Sequence, residues 1–199
     1  MRVNWLAHLR LAPEEPLLRL GNLCGDFVRG VDLATLHPRL RQGVLQHRAI
    51  DRFVDAHPVV RASRARMDAP FTRFAGVLVD VFYDHFLARD WARLGNGGSL
   101  ADFADAVHRD LERHAPLLPQ RLARAVPPMR TQRWFERYAE PDGIAEILVR
   151  MATRLGRETV LGRGHEQLRA HRDGLAADFA TLWPDLLAAA AGIHRERVV

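Results

Sequence analysis

His47, Asp51 and Asp55 stand at i, i+4 and i+8 within the run Gln46-His47-Arg48-Ala49-Ile50-Asp51-Arg52-Phe53-Val54-Asp55. Steps of four residues keep side chains on one helical face with only slow drift around the axis. One imidazole and one or two carboxylates converging in that way suit a divalent cation. The same spacing also occurs on solvated helix faces, where His and Asp only hydrogen-bond. A second group, Asp80, Asp84 and His85, is set among Val77, Leu78, Val79, Val81, Phe82, Phe86 and Leu87. Carboxylates are costly to desolvate unless they meet a cation or strong donors. Two acids and a histidine in so apolar a helix therefore point to a metal site, a catalytic cluster, or a buried ion pair with an arginine.

A third candidate is Asp26, framed by Gly21, Gly25 and Gly30 and preceded by Asn22. The glycines permit tight backbone, for function or for packing alone. Asn4 and His8 are again four apart, and His8 could orient a ligand through its second ring nitrogen. Cys24 has no companion His and Asn arrangement and reads as a small buried side chain. His108, His114, His165, His171 and His194 fall in arginine-rich amphipathic stretches and read as surface residues.

These groups need helices to position them, and helical periodicity recurs along the chain while strand-like alternation is scarce. The apolar pattern predicts a helix from about Pro38 to Ala56, ended or kinked at His57-Pro58 because a residue before proline avoids the α region. Further helices are expected from Pro58 to about Met67, from about Pro70 to Leu94, and from Ser99 as cap to about Pro116. Thr131 to Ala139, Pro141 to about Leu155, and His165 to about His171 follow. Gly174 is expected to separate off a terminal helix, itself kinked or broken at Pro184. The expectation is all-α, about seven to nine helices in a single domain over residues 1–199.

The 199 residues are 48% hydrophobic and 27% charged, a soluble globular balance. At this size a core holds without metal or disulfide, so a metal would serve chemistry. A lone cysteine and no leader-like segment make the cytoplasm the expected location. No run of about 18 apolar residues suggests a membrane span. The net charge is +5, and all 29 basic residues are arginine. Arginine suits phosphate and carboxylate, which favours an anionic partner. No zinc-finger or RNA-binding signature marks nucleic acid as that partner.

Taken together, the chain resembles the acyl carrier protein phosphodiesterase family. The resemblance rests on Asn4-Trp5-Leu6-Ala7-His8-Leu9, Gly21-Asn22-Leu23 with Asp26-Phe27-Val28-Arg29-Gly30, His47-Arg48 with Ile50-Asp51, Asp55 and His57-Pro58, and Asp80 with Asp84-His85-Phe86-Leu87 and Trp91. Tyr83 stands where the family often has tryptophan. The resemblance implies an HD-phosphohydrolase-like helical fold in rearranged form. It also implies a divalent cation, usually Mn²⁺ with Mg²⁺, Fe²⁺ or Co²⁺ as substitutes. The reaction implied is hydrolysis of the diester joining 4′-phosphopantetheine to a serine of holo acyl carrier protein. On that reading Asp26, His47, Asp51, Asp84 and His85 bind or orient the metal, with Asn4, His8 and Asn22 behind them. Asp80 or Asp55 assists proton transfer. Arg29, Arg48 and Arg52 hold the diester and stabilise its charge. Arg61, Arg64 and Arg66 form a candidate patch for the acidic carrier protein. Two other readings stay open: a related phosphohydrolase acting on a nucleotide or small diester, and an inert module that binds the carrier.

Overall fold

A computed structural model describes residues 5–155 and 159–196, and within them the chain is helical with no strand. The helices are α1 (Trp5–Leu11), α2 (Pro16–Cys24), α3 (Pro38–Ala56), α4 (Pro58–Ala65), α5 (Ala75–Arg89), α6 (Trp91–Leu94), α7 (Leu100–Arg113), α8 (Gln120–Thr131), α9 (Trp134–Arg137), α10 (Pro141–Arg154) and α11 (His165–Glu196). That is eleven among the described residues, nine of them of seven residues or more, all feeding one hydrophobic core.

Proline sets many of the starts. Pro16, Pro38, Pro58 and Pro141 each open a helix, where the missing N–H costs nothing and the fixed φ is already helical. Side chains supply the caps. Glu15 accepts from the Leu17 and Leu18 amides, and Ser99 with Asp102 forms a reciprocal capping box on α7. His57 ends α3 in extended backbone and its ring accepts from the Val59 amide to open α4.

Helix α5 is apolar around most of its circumference and packs against α1, α4, α10 and α11. Such a helix is a central strut, not a surface one. The expected Pro70-to-Leu94 helix is shorter and divided: Thr72–Phe74 is a 3₁₀ turn, and the chain bends at Asp90 before α6.

Other expectations also shift. Thr131 to Ala139 is not one helix, because Arg133 adopts a left-handed conformation (φ 50°, ψ 52°) that separates α8 from α9. Helix α8 itself contains Pro127 and Pro128, yet burial of Leu122 and Met129 on one face holds it. The break in α11 falls at His171 (φ −118°, ψ 16°) and not at Gly174, and the helix runs on through Pro184. His108 is buried against the Phe135 ring, not on the surface.

Candidate metal centre

The site begins where α2 crosses α3. A Cβ on Gly21 would lie 2.4 Å from the Leu40 carbonyl oxygen, and one on Gly43 2.3 Å from the Leu18 carbonyl oxygen. Only two glycines facing each other allow so close a crossing. That crossing places the Asn22 carbonyl 2.8 Å from His47 Nδ1. Asn22 is itself held by donating to the Leu18 carbonyl and to Gln46 Oε1. Gly25 completes the seat, since a Cβ there would come within 2.3 Å of the His47 ring.

With Nδ1–H given to the Asn22 carbonyl, His47 directs its Nε2 lone pair outward, the orientation a ligating imidazole needs. That Nε2 lies 3.4 Å from Asp51 Oδ2 and 4.0 Å from Asp26 Oδ1. From the other side His8 brings Nε2 to 3.3 Å from Asp51 Oδ1, its ring stacked on His47 at 3.7 Å between centroids. Ligand-capable atoms of His8, His47 and Asp51 all fall within 4.8 Å of one another. An imidazole lone pair facing carboxylate oxygens is repulsive unless a proton or cation sits between them. Two imidazoles and carboxylate oxygens are also a donor set suited to a first-row divalent metal. The residues therefore fit a divalent cation.

Two carboxylates here are tuned apart. Burial pushes the Asp26 carboxyl up, against the opposing pull of His47 and of the Trp5 indole N–H, which donates to Oδ2 at 2.8 Å. Burial acts the same way on Asp51, but the facing His47 and His8 rings, which in their protonated form donate to it, outweigh burial and hold that carboxyl below the usual range.

Helix α1 delivers both Trp5 and His8, three residues apart, and Asp84 fixes α1. Its two carboxylate oxygens accept the Leu6 and Ala7 amides, each at 2.9 Å. These are unsatisfied amides of a helix N-terminus, capped by an acid from the core. Burial pushes the Asp84 carboxyl well above the ordinary range, the Leu6 and Ala7 amides pulling it back. Asp84 thus lies outside the His8–His47–Asp51 group and serves the element that carries His8.

His85 is likewise outside it. One position further along the helix, it donates Nδ1–H to the Tyr138 carbonyl at 2.8 Å and faces a separate recess with His165, Arg169 and Arg172. Asp80 is buried one turn before Asp84. Asp55 accepts from Arg64 at 2.8 Å, joining α3 to α4. Arg29, Arg48 and Arg52 are exposed. Of the Arg61, Arg64 and Arg66 patch, Arg64 is engaged by Asp55 and Arg66 by Asp178. Arg61 donates to the Ala56 carbonyl. Asn4 lies outside the described residues. Trp5 entered the sequence reading only within the family-like run Asn4–Leu9, with no role, and His8 was read only as an orienting partner. The signal available was their i, i+3 spacing, which puts both on one face of α1.

No helix of the described residues is long and apolar enough to cross a membrane. No solved structure matches the chain. The family model described as acyl carrier protein phosphodiesterase matches residues 3–186. A protein of Yersinia enterocolitica named acyl carrier protein phosphodiesterase is 35% identical over 188 residues, covering 94% of this chain and 97% of its own. One of the same name from Serratia proteamaculans is 35% identical over 185 residues (93% and 96%), and one from Salmonella agona 34% over 189 residues (95% and 98%). A match that spans nearly the whole chain, including α1, the α2–α3 crossing and α5, places this protein in the acyl carrier protein phosphodiesterase family.

Proposed function

We propose that the protein hydrolyses the phosphodiester between 4′-phosphopantetheine and serine in holo acyl carrier protein, releasing apo carrier and 4′-phosphopantetheine. The observation that carries this reading is the His8–His47–Asp51 group beside Asp26, inside a chain of this family. His8, His47, Asp51 and Asp26 hold a divalent cation, Mn²⁺ first, with Mg²⁺, Fe²⁺ or Co²⁺ as substitutes. When bound, it polarises the phosphoryl oxygens and lowers the pKa of an attacking water. The remaining work belongs to the chain. Asn22 and Gly25 fix the His47 ring, Trp5 orients Asp26, and Asp84 holds α1 so that His8 meets Asp51. Asp80 is the proposed proton acceptor, being a buried carboxylate outside the metal group. Arg48 and Arg52 flank His47 and Asp51 along α3, and Arg29 follows Asp26. Exposed guanidiniums so placed would clamp the diester and meet an acidic carrier. The whole chain acts as one catalytic domain, and its His/Asp chemistry on helices supports kinship with HD phosphohydrolases.

The test is to incubate the protein with holo acyl carrier protein and Mn²⁺ and follow the carrier by mass spectrometry. Loss of the prosthetic-group mass, abolished by chelator, is the expected result. An unchanged carrier mass at saturating Mn²⁺ overturns the reading.

A further inference from the structure

Beside the metal group lies a small cleft of about 40 Å³ that none of the site residues above, Trp5 excepted, explains. Trp5 and Trp134, stacked at 5.6 Å with 15° between their planes, form one wall, and Ile147 and Met151 another. Tyr138, Arg150 and Arg154 complete the lining, with the Arg154 guanidinium 5.4 Å over the Trp134 ring. Among the described residues, no carboxylate lines it. Its size suits a short branched segment of a ligand rather than a whole one, and an apolar lining with a few polar groups is how such pockets select.

Trp5 ties the cleft to the metal group. Its ring faces the cleft while its indole N–H donates to Asp26 Oδ2. A diester held at Asp26, His47 and Asp51 therefore has the cleft as its immediate neighbour on the α1 side. Of the two groups on that diester, one is a serine on a folded protein, far too large to enter. The other is a slender, uncharged chain with a gem-dimethyl carbon and two amides. An apolar cleft with guanidinium donors matches the second.

We propose that this cleft is the subsite for the pantetheine arm of the substrate. Trp5, Trp134, Ile147 and Met151 pack the gem-dimethyl segment, and Arg150 and Arg154 donate to its amide carbonyls. Uncharged binding of this kind, on atoms whose bonds do not change, helps orient the diester. The inference rests on the proposed reaction for its choice of ligand, and its test does not need turnover.

The probe is pantetheine itself, without phosphate, titrated calorimetrically into the intact protein in the presence of chelator. Wild type is expected to bind it. Ile147→Trp, which fills the cleft, should weaken binding by at least about tenfold, with Mn²⁺ affinity measured separately and unchanged. Arg154→Ala, at an exposed position that leaves the core alone, should weaken it about threefold. With holo carrier as substrate, Ile147→Trp should raise KM by a similar factor. Absence of pantetheine binding by wild type, or equal binding by wild type and both variants, overturns the subsite. Pantetheine binding sensitive to these substitutions, in a protein that leaves holo carrier intact, keeps the subsite and sinks the proposed reaction.

Discussion

Asp84 separates two accounts of the same buried carboxylate: metal ligand, or cap of α1. Replacing it with alanine removes both acceptors of the Leu6 and Ala7 amides, which are themselves buried. A buried amide left without a partner costs about 1–3 kcal/mol, so two cost roughly 2–6. Relief from burying a carboxylate, the same burial that pushes this group's pKa up, offsets part of that. The expected net loss is about 2–4 kcal/mol, a large share of a stability of about 5–15 kcal/mol. It is read from urea unfolding midpoints at constant slope, with chelator present throughout. Hydrogen exchange at Leu6 and Ala7 should accelerate in the variant as α1 loosens. Asp84→Asn keeps one acceptor and should fall between alanine and wild type. A ligand role makes a different demand: the loss would appear with Mn²⁺ and vanish with chelator. A chelated Asp84→Ala protein that unfolds within about 0.5 kcal/mol of wild type, with amide protection retained, refutes the capping argument.

His47→Gln keeps a polar side chain of similar reach but removes the aromatic donor facing Asp51. Mn²⁺ affinity should fall by about 100-fold or more, measured by calorimetry, while the helical circular dichroism persists. Gly25→Ala puts a Cβ within 2.3 Å of the His47 ring, so the ring must move from Asp51. Turnover of holo carrier should drop by about 100-fold, and a variant with full activity would show that this seat does not matter. Asp178 on α11 accepts from Ser63 and Arg66, and Ser63 also bonds the Tyr83 hydroxyl. Burial works to raise the Asp178 carboxyl, but the Arg66 and Ser63 bonds prevail and hold it below the ordinary range. A depressed folded pKa means the contribution is complete above the unfolded value of about 3.9 and is lost as pH falls through the folded one. Wild type minus Asp178→Asn stability should therefore shrink steadily below about pH 4. A pH-independent difference would exclude the carboxylate's charge as its origin.

The elements that could be read from the sequence are those specified locally. Pro38, Pro58 and Pro141 open helices, His57 closes one and opens the next, and Ser99 caps another, all within a turn of the residue concerned. The His47–Asp51 pair is equally local, and the fold keeps the two side chains 3.4 Å apart. The desolvation argument also found Asp80, Asp84 and His85 buried. It could not find what compensates them, because the partners of Asp84 are 77 and 78 residues away in α1. A cation and a helix N-terminus both offer positive potential to a buried acid, so burial alone does not distinguish them. His8 was underweighted for the same reason: a single histidine on a short helix gains meaning only when that helix is pinned over α3. Even the periodicity of α5 misled in part, since neighbouring positions on a helix buried all round open onto different spaces. Asp84 meets the Leu6 amide of α1 and His85 meets the Tyr138 carbonyl, so two residues adjacent in sequence reach different partners, which spacing along one helix does not reveal.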